Sequence, residues 1–207
     1  MILTESSAAC WNCGRPPDSV HFCRHCQSLQ PPAVDRFAYL GLEQKLRIDR
    51  ADLENRFYEL SRRLHPDRYF QRPERERQLS LDATAVLNDA YRTLKDPVAR
   101  AEYLLGLHGI KKGEQKSLNV PPELLEEVFE LNVTLEEMRS GAAARPQLET
   151  ARVKFERMLH EVDQALEGCF ARWDQDGGLQ ALESIHGALN RRNYIRNLLR
   201  DVTAALS

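Results

Sequence analysis

Apolar residues recur at the helical period through most of this chain. From Asp49 to Leu64, Leu53, Phe57, Leu60 and Leu64 follow one another at offsets of four, three and four, one stripe along a helix. Pro66 disfavours helical geometry at His65 and ends that helix. From Pro73 to Lys95, Leu79, Ala83, Val86, Leu87, Ala90 and Leu94 share a second face. The two stripes predict an antiparallel helical hairpin within residues 35–109, its loop carrying His65, Pro66 and Asp67. Lys111 to Ser117, charged and glycine-containing, reads as a connector. Three longer helices follow. Pro122 to Arg139 carries Leu124, Val128, Leu131, Leu135 and Met138, and Pro146 to Trp173 carries Leu148, Phe155, Leu159, Val162, Leu166, Cys169 and Trp173. Asp176-Gly177-Gly178 supplies a turn before a last helix from about Leu179 to Leu206. Facing seams and short connections predict a C-terminal antiparallel three-helix bundle over 118–207. The chain is therefore expected to be all-α.

Composition narrows the classes. The 207 residues are 42% hydrophobic and 29% charged, which excludes disordered and collagen-like chains. A net charge of -2 and a pI near 6.3 give no global attraction to nucleic acid or acidic membrane. No apolar run approaches the roughly 20 residues that cross a bilayer. The first nine residues show neither a basic n-region nor an apolar h-region. A cytoplasmic protein without membrane or nucleic-acid partners is the expectation.

Residues 1–31 form a distinct module around Cys10-x2-Cys13 and Cys23-x2-Cys26. Each pair can turn two sulfurs toward one point, and two such knuckles complete a tetrahedral thiolate site for structural zinc, Zn2+. About thirty residues holding Trp11, Val20, Phe22 and Leu29 bury too little surface to fold alone, and metal binding would supply the missing free energy. A reducing cytoplasm disfavours two disulfides, and the βαβ setting of a redox Cys-x-x-Cys is absent. Iron fits four thiolates equally well. His21 and His25 could substitute as ligands, but four cysteines already fill the site. Arg15, Arg24, His21 and His25 are too few basic groups to prefer nucleic-acid binding. Cys169 falls on an apolar stripe and reads as packing. Leu29-Gln30-Pro31-Pro32-Ala33 reads as a short stiff linker.

His65 and Asp67 with Ser61 could suggest a nucleophile, a base and its orienting carboxylate. Pro66 constrains the pair, no oxyanion-hole sequence lies nearby, and no glycine-rich phosphate loop or metalloprotease helix occurs, so no enzyme is expected. The surroundings of the tripeptide point elsewhere. Arg56 and Arg63 share a flank beside the first stripe and Arg62 lies farther round, giving a basic helix that leads into the turn. Phe37 to Gly109 resembles a J-domain on these features. Leu87-Asn88-Asp89-Ala90-Tyr91-Arg92-Thr93-Leu94 and Asp96-Pro97-Val98-Ala99-Arg100-Ala101-Glu102-Tyr103-Leu104-Leu105 resemble its HscB branch, the J-type co-chaperones of iron–sulfur cluster assembly. The resemblance implies that His65, Pro66 and Asp67, with docking charges Arg56, Arg62 and Arg63, engage a DnaK/HscA-type chaperone and accelerate its ATP hydrolysis. Some HscB-type proteins carry a segment similar to Cys10-Trp11-Asn12-Cys13-Gly14; others lack it.

The first bundle helix holds more apolar surface than its seam needs. Leu125, Phe129 and Val133 form a second line about 100° or more from the seam, either a wide core face or a binding surface. The HscB resemblance implies the second: an apolar patch that holds an IscU-type cluster scaffold. Leu124, Leu125 and Phe129, with Tyr194 on the last helix, match patch positions, and Glu130 matches an acidic rim. Glu126 departs, standing where an apolar residue is common. A general J-protein delivering other clients and a zinc-dependent nucleic-acid-binding protein remain as alternatives.

Overall fold

Several helix boundaries near the predicted hairpin have a local cause. A computed structural model describes residues 9–17, 19–33, 35–110, 124–139 and 145–207. Its helices are α1 (Arg36–Tyr39), α2 (Arg50–Leu64), α3 (Glu74–Lys95), α4 (Pro97–Leu107), α5 (Leu125–Arg139), α6 (Arg145–Asp176) and α7 (Leu179–Leu206), with a 3₁₀ turn at Pro66–Tyr69. The Asp49 carboxylate caps α2, accepting from the Ala51 amide at 2.8 Å and the Asp52 amide at 3.3 Å. His65 then turns extended, with φ -58° and ψ 130°, as the following proline requires. Asp96 caps α4 by accepting from the Ala99 amide at 2.7 Å, with Pro97 in the first helical position, where its missing N–H costs nothing. Among the described residues there is no strand, only an isolated bridge between Phe22 and Leu29.

The chain divides into two units, residues 1–104 and 105–207. In the first, α2 and α3 pair through Leu53, Leu64, Ala83, Leu87, Ala90 and Leu94, all buried. Phe57 and Leu60 of the predicted stripe are half-buried, and Phe57 stacks on Tyr91 with ring centroids 4.2 Å apart. Each fully buried leucine contributes about 1.5–3 kcal/mol. The short α1, too brief to show a stripe, packs on α3 through buried Phe37 and Tyr39. Arg36 fastens this contact: its guanidinium pairs with Asp89 at 2.7 Å and lies 4.4 Å from the centre of the Tyr103 ring.

In the second unit, α6 and α7 form a hairpin around Gly177 and Gly178, whose φ values of +62° and +97° belong to the region that glycine adopts without strain. Phe155, Val162, Leu166, Cys169 and Phe170 are buried on α6; Leu182, Ile185, Leu189, Ile195 and Val202 are buried on α7. Met158 is buried where the stripe predicted Leu159, and Trp173 is only half-buried. A straight helix drifts about 20° per heptad against a strict seven-residue seam, so a stripe across 32 residues cannot hold throughout. Arg192 of α7 bonds Asp163 of α6 at 2.5 Å. The last described helix to place, α5, packs on both through buried Leu131. The predicted connector Lys111–Ser117, the helix start at Pro122 and the seam position Met138 lie outside the described residues and side chains.

The Arg36 contact yields a pH test. A hydrogen bond from Arg36 lowers the pKa of Asp89 below the usual carboxylate range. A carboxylate depressed in the folded state contributes its full stability above its unfolded pKa, near 3.8, and loses that contribution as pH falls through its lower folded pKa. Because Asp89 is 40% exposed, solvent screening limits the effect. Asp89→Asn should lower the stability of the first unit by about 0.5–1 kcal/mol at neutral pH. The difference from the parent should narrow as pH falls below 3.8 and through the depressed folded-state pKa, as followed by denaturant unfolding; a gap independent of pH would mean that packing, not charge, sets it.

Candidate functional site

The end of α2 carries the chemistry of the His-Pro-Asp turn. A helix leaves its last four carbonyls without intrahelical donors, and Pro66 removes one N–H that could have served. Side chains supply the donors instead. Arg68 donates to the Arg62 carbonyl at 3.4 Å, the Tyr69 hydroxyl to Arg63 at 3.3 Å, and Ser80 and Thr84 of α3 both to Leu64, at 2.6 and 3.2 Å. The turn is thus anchored on both sides while its own side chains face solvent: His65 is 54% exposed and Asp67 90%. His65 Nδ1 accepts the Asp67 amide at 3.3 Å, which fixes the imidazole beside the carboxylate. Ser80 is fully buried on the apolar stripe, and that misplaced polarity is the sequence signal that stripe analysis passed over.

The three arginines assigned as docking charges separate. Arg56 is engaged within its own unit: its guanidinium donates to the Gly41 carbonyl and the Asp52 carboxylate, at 2.7 and 2.8 Å. Gly41 is needed at this close approach, with φ +65° and only 3.1 Å between a β-carbon there and Arg56. Arg62 and Arg63 are exposed beside the turn, and the Arg63 guanidinium rests 4.6 Å from the centre of the Phe22 ring. Ser61 is half-buried on α2.

The four cysteines come together. Their sulfurs all lie within 4.8 Å of one another, with Cys10 and Cys26 3.6 Å apart and Cys13 and Cys23 3.7 Å apart. Disulfides would require about 2.05 Å. A tetrahedron with metal–sulfur bonds of about 2.3 Å has edges of about 3.8 Å, so the constellation fits one tetrahedrally held metal ion. The two knuckles repeat one backbone design. Gly14 and Gln27 donate to the carbonyls of Cys10 and Cys23 at 2.9 and 2.8 Å, and Cys10 and Cys23 donate to the carbonyls of Arg15 and Ser28 at 2.7 and 3.0 Å. The residue after each second cysteine is left-handed, glycine in the first knuckle (φ +71°) and Gln27 in the second (φ +59°). The Ser28 hydroxyl, 3.0 Å from the Cys26 sulfur, lowers that thiol's pKa, and Gln30 donates to the Cys10 sulfur at 3.4 Å. Both bonds favour the thiolate form that a metal ligand requires.

Leu29 and Gln30 are buried in this module rather than part of a linker. The Leu29 carbonyl accepts from the Trp11 indole at 2.7 Å. Val20, expected in the small core, is 36% exposed, and Trp11 and Phe22 are half-buried. Their remaining ring faces meet arginines of the helical hairpin: Arg75 lies 4.4 Å from the centre of the Trp11 ring, as Arg63 does over Phe22. His21 donates through Nε2 to the Tyr39 carbonyl at 2.9 Å, and burial lowers its pKa. Sequence reasoning took these aromatics as core and missed the docking, because a cation–π contact across forty or more positions leaves no periodic trace.

In the bundle, Leu125, Phe129 and Val133 are 54%, 70% and 41% exposed, so the described residues leave the second apolar line largely open. Leu124 is fully buried and offers no surface. Phe129, Glu130 and Val133 border one groove of about 560 Å³ between α5 and α6, where Lys154 pairs with Glu130 at 3.4 Å. Tyr194 is half-buried on α7 and does not line that groove; Glu126 is exposed on α5.

The chain matches no family model. It is 35% identical over 164 residues to the human iron–sulfur cluster co-chaperone protein HscB, an alignment covering 76% of this chain and 70% of the relative. The co-chaperone protein HscB homolog of Vibrio vulnificus is 37% identical over 147 residues, covering 69% of this chain and 84% of that one. The crystal structure of human co-chaperone protein HscB superposes with a TM-score of 0.72 at 29% identity, over 95% of this chain and 98% of that one.

The thiols provide a direct check. The chain has five free cysteines, four in the knuckles and Cys169 buried in the bundle. Metal-loaded protein should show almost no fast-reacting thiol. A chelator should release one ion per chain and expose four thiols, the fifth reacting only after denaturation. Equal thiol reactivity with and without metal would remove the four-cysteine site.

Proposed function

Because the chain belongs to the HscB family of iron–sulfur cluster co-chaperones, we propose that it stimulates the ATPase of a DnaK/HscA-type chaperone and delivers an IscU-type scaffold to it during iron–sulfur cluster assembly and transfer. One observation carries the chaperone half: a His-Pro-Asp turn that is exposed at its side chains and anchored at its backbone. An anchored turn pays little ordering entropy on docking, so its charges arrive in place. His65, Pro66 and Asp67 form the contact, with Arg62 and Arg63 as flanking charges; Arg56 acts by holding the loop at Gly41. The protein works by binding. It changes the hydrolysis rate of another protein and touches no phosphate itself.

The scaffold half belongs to Leu125 and Phe129 on α5, rimmed by Glu130, with Tyr194 on α7 as a further contact and Leu124 as packing beneath. Each exposed apolar side chain covered by a partner adds about 1.5–3 kcal/mol. Carrying both surfaces in one chain makes the second binding event intramolecular, which raises the effective concentration of scaffold at the chaperone. Cys10, Cys13, Cys23 and Cys26 hold structural zinc, which suits a closed four-thiolate site because it needs no open position and no redox change. A reducing cytoplasm, which keeps such thiols available, is the proposed compartment. No helix among the described residues is long and apolar enough to cross a membrane.

Steady-state ATP hydrolysis by the chaperone, with and without scaffold, tests both halves. His65→Gln should abolish stimulation and leave scaffold affinity unchanged. Phe129→Ala should weaken scaffold binding by about 1–3 kcal/mol and leave stimulation by the scaffold-free protein intact. Stimulation indifferent to scaffold would leave a J-protein serving other clients. Loss of both activities in His65→Gln would refute the separation of the two surfaces.

A further inference from the structure

The four-cysteine module bridges the two stems of the His-Pro-Asp turn. Phe22 carries the Arg63 guanidinium at the end of α2, and Trp11 carries Arg75 in the first turn of α3, at 4.6 and 4.4 Å. Beside the first of these pairs opens a cleft of about 320 Å³, with Phe22, Cys26, Gln27 and Ser28 on the module side. Arg63, Arg68 and Arg72 line the helical side, faced by a single carboxylate, Glu76. Given the chaperone-docking role proposed above, we infer that the module is one wall of the docking surface and that this cleft receives a carboxylate-bearing segment of the chaperone.

Charge and geometry both point to that occupant. Three guanidiniums outnumber the Glu76 carboxylate and the Cys26 sulfur, whose thiolate charge a bound metal ion would share, so the concave site beside the turn keeps local positive charge. A guanidinium lying on a ring is attracted by the face while its N–H donors stay free at the edge. Arg63 is therefore positioned without being neutralised, whereas Arg56 is consumed by Gly41 and Asp52. The opposite wall depends on the knuckle: Gln27 and Ser28 directly follow Cys26, and their backbone is tied to Cys23 at 2.8 and 3.0 Å. Metal at the four sulfurs holds that knuckle, and so holds the wall.

Titrating chaperone stimulation with four proteins tests this: the metal-loaded parent, the metal-stripped parent, Gln27→Glu and Phe22→Leu. Gln27 is exposed, and its side chain makes one bond, a 3.1 Å donation to the Arg24 carbonyl that glutamate cannot make, so metal stoichiometry is measured alongside to check that the knuckle is kept. Gln27→Glu should raise the half-saturating concentration about three- to tenfold, an effect that shrinks as salt is added. Phe22→Leu, which removes the ring beneath Arg63, should raise it about two- to fivefold. Metal-stripped protein should shift the same way. Scaffold binding and, for the two variants, one metal ion per chain should stay at parental values. If all four titrate alike while His65→Gln is inactive, the module is not part of the docking surface, although the chaperone role stands. If His65→Gln stimulates fully, the chaperone role itself falls, and the cleft loses its proposed occupant with it.

Discussion

The last turn of α2 is the constraint on which the first unit depends. Its carbonyls need donors, and the proline that makes the turn useful removes one. Arg68 and Tyr69 answer from the turn itself, Ser80 and Thr84 from α3. The two bonds from α3 set the spacing of α2 and α3, and the two from the turn give it a fixed base. A buried carbonyl left unmatched costs about 1–3 kcal/mol. Leu64 receives two hydroxyls and is itself fully buried, so the hydrophobic pairing of the hairpin and the satisfaction of its polar end meet at one residue. Packing alone would hold the helices together without deciding where the turn sits.

Beside this turn stands a module with almost no core of its own. Leu29, Cys10 and Cys23 are buried, but its aromatic rings are half-exposed and complete their burial against arginines of the hairpin. Metal binding and docking therefore act on the same small segment. A bound ion would fix two knuckles whose second copy accepts a left-handed glutamine, a conformation that costs a non-glycine residue about 1 kcal/mol or more. A segment with so little internal packing keeps that strain only because the cysteine cluster and the isolated Phe22–Leu29 bridge over-determine it.

Helices with a face to bury were legible in the sequence, and so was the metal site. The stripes through Leu53 and Leu64, and through Ala83, Leu87, Ala90 and Leu94, are core, because periodicity reports burial directly. Two Cys-x-x-Cys pairs point at one centre because ligand spacing is a local property. Position on a helix could not say which arginine was free. Arg56 and Arg63 share a flank, yet a loop fifteen residues earlier captures the first and a ring forty-one residues earlier carries the second. The sequence also could not divide α5 between core and surface. Leu124 and Leu125 are neighbours in the chain, one fully buried and the other 54% exposed, and only the packing partners decide which way each faces.

That division on α5 has an energetic logic. An exposed Phe129 gains nothing in the folded monomer, and its cost is small as long as the helix is secured elsewhere: by Leu131 in the core and by Lys154, which reaches Glu127 and Glu130 from α6 at 3.9 and 3.4 Å. Those pairs are partly exposed and worth little each, so α5 is held less firmly than α6 is held to α7. A partner that covers Leu125 and Phe129 adds apolar contact to a helix that, among the described residues, buries fewer apolar side chains than α6 or α7. Binding there would therefore stabilise the bundle as well as capture the partner, because whatever binds the folded state alone shifts the folding equilibrium toward it.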